Sequence, residues 1–72
     1  GYVSLEFSGT MAVVRTLNGH ADSVAIALDN MRIAEILGTV AGNDTVLVVV
    51  REGIDRDEFI EILRERVPDF EE

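Results

Sequence analysis

Leu5 and Phe7 alternate with Ser4 and Glu6, the period of a half-buried strand. Ser8-Gly9-Thr10 is a turn signal, and the more apolar Met11–Arg15 follows as a second strand, so the first two elements read as a hairpin. Asn18-Gly19 breaks the run. From Ala21 the period changes: Ala21, Val24, Ala25, Leu28 and Met31 recur at helical intervals on one face. Gly38 and Gly42-Asn43-Asp44 bracket a second extended pair, roughly Ile36–Ala41 and Thr45–Arg51. Within it Val46-Leu47-Val48-Val49-Val50 has no polar face. Beyond Gly53, Asp55 and Glu58 have the spacing of a capping box. Phe59, Ile62 and Leu63 form the apolar face of the helix it opens, and Pro68 is the expected stop. The order is ββαββα. It predicts an α+β fold in two layers, a four-stranded antiparallel sheet with both helices on one face.

Thr10-Met-Ala-Val-Val and Thr45-Val-Leu-Val-Val each follow a turn and lead to an arginine, and each strand pair precedes a helix. This hint of duplication is a clue to the fold alone. The apolar excess says more. Two helices cover one face of such a sheet, and the other face ordinarily alternates towards polar residues. Val13-Val14 and Val46–Val50 place apolar side chains on both faces. An exposed apolar face of that kind marks an interface, so the expected state is an oligomer.

Composition narrows the classes. The 72 residues make one domain, 1–72, with 47% apolar residues, no cysteine and a formal charge of −8. Hydrophobicity at that level excludes a disordered tail. The missing cysteine excludes a disulfide scaffold and a cysteine-built zinc site. No apolar run, Val46–Val50 included, exceeds five residues, where a membrane span needs about 20. No basic segment precedes an apolar one in the manner of a signal peptide, and the expected location is cytoplasmic. Nucleic acid is an unsuitable direct partner: the chain has no lysine, and its six arginines face fourteen acids. Nine of those acids lie in Glu52–Glu72 and read as a solvated helix face with an acidic tail.

Enzyme chemistry finds little support. His20 is the sole imidazole, and Ser4, Ser8 and Ser23 lack the context of a nucleophile elbow. The pair His20-x-Asp22 has the parts of a general base, yet a histidine after Asn-Gly reads first as a surface residue beside a helix start. A metal site would have to combine His20 with Asp22 and Asp29, and nothing in their spacing fixes that geometry. Asp22 also suits the positive end of the helix dipole. Gly38, Gly42 and Gly53 do not form a phosphate fingerprint. The expectation is a protein that is not an enzyme and holds no metal.

The segment Gly38-Thr39-Val40-Ala41-Gly42-Asn43-Asp44-Thr45 is more informative, because it joins two apolar strands through a corner bearing a carboxylate and a carboxamide. Asn-Asp is a favoured turn pair. A carboxylate beside turn amides also suits a zwitterion, since its oxygens take an ammonium or guanidinium while N–H groups take a carboxylate. Asp22 and Asp29, two turns apart on the first helix, can line the same hollow.

That segment resembles the G-T-I-A-G-D-D-T signature of the bacterial arginine repressors, in their C-terminal arginine-binding and oligomerisation domain. Gly38, Thr39, Ala41, Gly42, Asp44 and Thr45 match it, and Val40 is a conservative variant. Upstream, Val13–Ala21 is similar to the family's V-[VL]-[KR]-T-x-P-G-x-A stretch, and Leu28-Asp29-Asn30 to its L-D-[NS] helix end. The resemblance covers essentially the whole chain in the same element order.

The resemblance implies six domains in two stacked trimers with L-arginine, the co-repressor, bound between them. Operator DNA is then read only by winged helix-turn-helix domains N-terminal to such a segment. By position, Thr39, Ala41 and Asp44 line the pocket, and Asp44 and Asp29 are directed to the α-amino end. Asp22 faces the ligand's main-chain end, where the family often has Gln or Asn. Asn43 stands where the family has the aspartate that reaches across the trimer interface to the guanidinium, and Asn18 stands in place of its proline. Two other readings stay open: an oligomerisation module whose ligand response is weakened or altered by Asn43, and an ACT-like amino-acid-binding regulatory domain of an enzyme. The G-T-V-A-G-N-D-T turn speaks against the latter.

Overall fold

The computed structural model describes residues 2–67 and residue 70, with side chains from Ser4 onward. Its elements run β1 (Tyr2–Ser8), β2 (Met11–Thr16), α1 (Ala21–Met31), β3 (Ile36–Gly42), β4 (Thr45–Val50) and α2 (Arg56–Arg66). The strands form one antiparallel sheet in the order β1-β2-β4-β3. The expected ββαββα arrangement holds, with boundaries within a residue or two for five of the six elements. β1 starts earlier than its alternation revealed. The expected stop at Pro68 lies outside the described residues, as do Asp69, Glu71 and Glu72 of the acidic tail.

Register fixes which side chains share a face, because direct partners in an antiparallel pair point the same way. Leu5 faces Val14, Phe7 faces Ala12, Ala12 faces Val48, and Val14 faces Val46. This face is buried under both helices with Ala21, Ala25 and Leu28 of α1 and Phe59, Ile60 and Leu63 of α2. The opposite face carries Ser4, Glu6 and Ser8 on β1, then Met11 and Val13 on β2, Leu47 and Val49 on β4, and Val40 on β3. Val40 is 65% exposed. The expected apolar surface therefore exists, and it is confined to three of the four strands.

The apparent duplication is out of phase. Aligning the two sequence motifs pairs Ala12 with Leu47, yet Ala12 is buried and Leu47 is exposed. The burial rhythms of β2 and β4 match when Ala12 is paired with Val46 and Val14 with Val48, one residue out of step with the sequence motifs. A one-residue slip puts every side chain on the wrong face, so the likeness of the two strands is compositional. The repeated hairpin-then-helix layout stands.

The helix ends explain themselves in part. At α2, Glu58 N–H donates to Asp55 Oδ1 at 2.8 Å, and Asp55 N–H donates to Glu58 Oε1 at 3.4 Å, the expected capping box. Asp55→Ala is expected to cost about 1 kcal/mol, read as a lower urea midpoint at unchanged slope. At the far end Arg66 Nη2 donates to Met31 O at 2.9 Å, tying α2 to the end of α1. Arg51 Nε likewise donates to Ala34 O at 2.7 Å. The apolar face of α2 differs from expectation: Ile60 is buried and Ile62 only half-buried.

Candidate functional site

β3 is an edge strand of the sheet, and α1 packs over it. Thr39 faces Val48 and Ala41 faces Val46, so both point to the helix side. Thr39 Oγ1 donates to Asp29 Oδ1 at 3.0 Å, which fixes one carboxylate oxygen of α1 against the edge strand. The other expected position on α1, Asp22, is exposed in its first turn. Beyond Asp29 a shallow hollow of about 110 Å³ opens along Leu28, Arg32, Ile36 and Gly38. Arg32 closes α1 in the left-handed region at φ 51°, a feature with no signal in its residue type.

The β3–β4 turn is built on Asn43, whose φ of 46° supplies the positive dihedral that a two-residue hairpin loop requires. Its carbonyl oxygen accepts from Gly19 N–H at 3.1 Å and Ala21 N–H at 3.0 Å, while Asp44 O accepts from Thr16 N–H at 2.7 Å. Ala21 opens α1, and His20 before it provides no side-chain cap. The hairpin tip thus satisfies a helix N–H that would otherwise lack a partner. It also draws residue 43 and the first turn of α1 together, with Asp22 one residue beyond the bonded Ala21. His20 is exposed beside the helix start, as its setting after Asn-Gly implied.

Side chains at the tip divide between the two sides of the sheet. Arg15 Nη1 donates to Thr45 Oγ1 at 2.8 Å, and Thr45 Oγ1 donates to Asp44 Oδ1 at 2.9 Å. Arg15 and Thr45 are cross-strand partners on the open face, so the relay draws the Asp44 carboxylate towards that face. Asn43 Nδ2 instead donates to Asn18 Oδ1 at 2.6 Å, in the loop that leads to α1. Asp29, Thr39 and Ala41 therefore gather on the helix side, and Asp44 does not join them within one copy. What one copy presents is an open arc of polar groups along the sheet edge. The residues that sequence reasoning missed are Asn18, Arg15 and Thr45 as partners of the turn, and Arg32 beside the hollow. Asn18 left a signal as one of two departures from the resembled pattern, and Arg15 and Thr45 as matches to it; Arg32 left none.

Among the described residues no three His, Cys, Asp or Glu side chains are placed to hold a metal ion. No helix among them is long and apolar enough to cross a membrane.

Comparison with known proteins agrees with the geometry. Residues 1–65 match the family model described as the arginine repressor, C-terminal domain. The chain is 45% identical over 71 residues to an arginine repressor of Bacteroides thetaiotaomicron, an alignment covering 99% of this chain and 45% of that protein. It is 45% identical over 62 residues to an arginine repressor of Acetivibrio thermocellus, covering 86% of this chain and 40% of the relative. A third, from Deinococcus deserti, is 45% identical over 51 residues, 71% of this chain and 32% of the relative. The chain spans less than half the length of these curated relatives. Their name is that of a transcriptional regulator, which sets them apart from enzymes.

Proposed function

Because the chain belongs to the family of arginine repressor C-terminal domains, we propose that it senses a free amino acid of arginine's form and assembles the repressor around it. In this reading L-arginine is the co-repressor ligand and binds between two stacked trimers. Asp29 of one copy and Asp44 of another hold its α-ammonium group, Asp22 faces its main-chain end, Thr39 and Ala41 line the wall, and Asn43 meets its far end. Operator DNA is contacted by a winged helix-turn-helix segment N-terminal to this one, and the work is done in the cytoplasm.

One observation carries most of this reading. The Gly38–Thr45 segment forms a hairpin whose tip is bonded to the start of α1, so the residues that match the family signature border one edge of the sheet. That arc is open, with carboxylates on both of its sides, and closes into a pocket only when a second copy covers it. The apolar stripe on the other face supplies the surface for trimer contacts.

The test is sedimentation of the purified chain with and without millimolar L-arginine, alongside calorimetry. Ligand that binds between trimers must raise the hexamer fraction by its differential affinity. Asp29→Asn and Asp44→Asn are each expected to weaken binding about tenfold or more, since hydrogen bonds to charged groups contribute ~1.5–3 kcal/mol. Equal affinity in the parent and both variants would move the site elsewhere.

The second reading, an oligomerisation module with an altered ligand response, is favoured by one bond. The Asn43 amide, at the position assigned to the ligand's far end, is already engaged by Asn18. Sedimentation that shows a stable hexamer indifferent to ligand would select it.

A further inference from the structure

We propose that Asn18 is a site of spontaneous deamidation, and that Asn43 of the facing hairpin sets how fast it reacts. Asn18 and Gly19 are the central pair of a β-turn closed by His20 N–H, which donates to Leu17 O at 3.0 Å. Gly19 has φ 82°, the positive value that the third residue of a type II turn requires. Asn-Gly steps cyclise readily, because glycine puts no Cβ beside the backbone nitrogen that attacks the preceding side chain. The surroundings are open as well: both residues are exposed, and a Cβ added at Gly19 would meet nothing within 4 Å.

The reaction needs water alone. The Gly19 amide nitrogen, deprotonated by hydroxide, attacks Cγ of Asn18. The N–Cγ bond forms, the Cγ–Nδ2 bond breaks, and ammonia leaves with a proton taken back from water. Water then opens the imide ring. Attack at the side-chain carbonyl gives aspartate, and attack at the main-chain carbonyl gives isoaspartate, whose main chain is longer by one methylene. Nothing is oxidised or reduced, and either product carries one more negative charge.

Residue 43 holds both reacting groups. Its carbonyl oxygen accepts from Gly19 N–H at 3.1 Å, and its Nδ2 donates to Asn18 Oδ1 at 2.6 Å. Bringing the Gly19 nitrogen onto Cγ turns the Asn18–Gly19 peptide, so the nitrogen leaves Asn43 O and the side-chain amide leaves Asn43 Nδ2. The turn therefore reacts from a locally opened state, in proportion to how often that state is visited. The other asparagines are built-in controls. Asn30 lies in α1 ahead of Met31, and Asn43 precedes Asp44, so in both a side chain crowds the attacking nitrogen. Isoaspartate at 18 has the larger consequence: its longer main chain carries Gly19 N–H away from Asn43 O and slackens the tie between the hairpin tip and the start of α1. Aspartate keeps the backbone and takes Asn43 Nδ2 through a charge-assisted bond.

The test holds the purified chain in warm, mildly alkaline buffer, folded and in urea, beside Asn43→Gly, which keeps the positive φ. Circular dichroism reads the fold of each. Trypsin cuts after Arg15, Arg32 and Arg51, which puts Asn18 and Asn30 on one peptide and Asn43 on another. Tandem mass spectrometry then locates each amide that has become an acid. Asn18 of the folded parent is expected to convert well before Asn30 and Asn43. Asn43→Gly is expected to convert Asn18 about fivefold faster or more, the worth of a lost hydrogen bond in the opening equilibrium, and urea faster still. A folded parent whose Asn18 lasts as long as its Asn30 overturns the site. Equal Asn18 rates in the folded and urea-unfolded parent, or in the parent and Asn43→Gly, overturn the control by residue 43.

Discussion

Replacing Leu47 with glutamate is expected to reduce the assembled protein to a monomer of about 7.9 kDa without unfolding it. Leu47 lies at the centre of the open face, directly across from Val13 on one side and Val40 on the other. Met11 and Val49, themselves partners, continue the patch one step along the strands. Adjacent strands are about 4.8 Å apart, so the three central side chains make a continuous apolar row. β1 ends that row with Ser4, Glu6 and Ser8. A patch with a polar border on one side and an edge strand on the other is the form of a docking surface. A carboxylate at its centre is desolvated without a partner on association, a cost that several apolar contacts cannot offset. In a trimer the substitution occurs three times, so its effect multiplies.

The fold tolerates the change because Val46 and Val48, on either side of Leu47, point into the core and keep their contacts. Ile26→Glu is the matched control: Ile26 is 59% exposed on α1, on the opposite layer, and its substitution is expected to leave the mass unchanged. Sedimentation velocity at micromolar concentration reads both. A Leu47→Glu protein with the parent's mass would show that the open face is not the interface.

What was legible in the sequence was whatever local chemistry decides. Alternation and turn residues located the hairpins, helical spacing located both helices, and Asp55 with Glu58 marked the start of α2 to the residue. The open apolar face was legible too, because Val46–Val50 is apolar on both sides wherever the sheet is placed. The signature segment told where the hairpin tip lies. Partnership across the chain was not legible. Asn18 and Asn43 are bonded only because β2 and β4 pair and bring the β2–α1 loop beside the β3–β4 turn. The phase of the apparent repeat was hidden for a related reason: two valine-rich strands look alike whichever face they bury. Nor did spacing reveal that Asp44 turns to the open face, since that depends on Arg15 and Thr45 lying across from each other.

The rotation of α2 shows where local pattern stops. Phe59, Ile60, Ile62 and Leu63 span about 160° of the helix circumference at ~100° per residue, a stripe too wide to name its own centre. The sheet chooses. Phe59 is fully buried, its ring centroid 5.6 Å from that of Phe7 at an angle of 38°, and Phe7 is placed by its pairing with Ala12. That contact turns Ile60 inward to 4% exposure and leaves Ile62 at the margin. Phe59→Ala is accordingly expected to cost about 3–5 kcal/mol, much of the ~4–11 kcal/mol total that a chain this size has at ~0.05–0.15 kcal/mol per residue. Ile60→Ala is expected to cost ~2–4 kcal/mol, and Ile62→Ala less than half as much. Urea unfolding at fixed protein concentration measures all three, and the concentration has to be fixed because assembly stabilises the folded state by mass action. For the same reason the Phe59→Ala midpoint is expected to rise with protein concentration while its monomer unfolds at low concentration. Equal losses for Ile60→Ala and Ile62→Ala would mean that α2 sits on the sheet in a different rotation, with Phe59 no longer against Phe7.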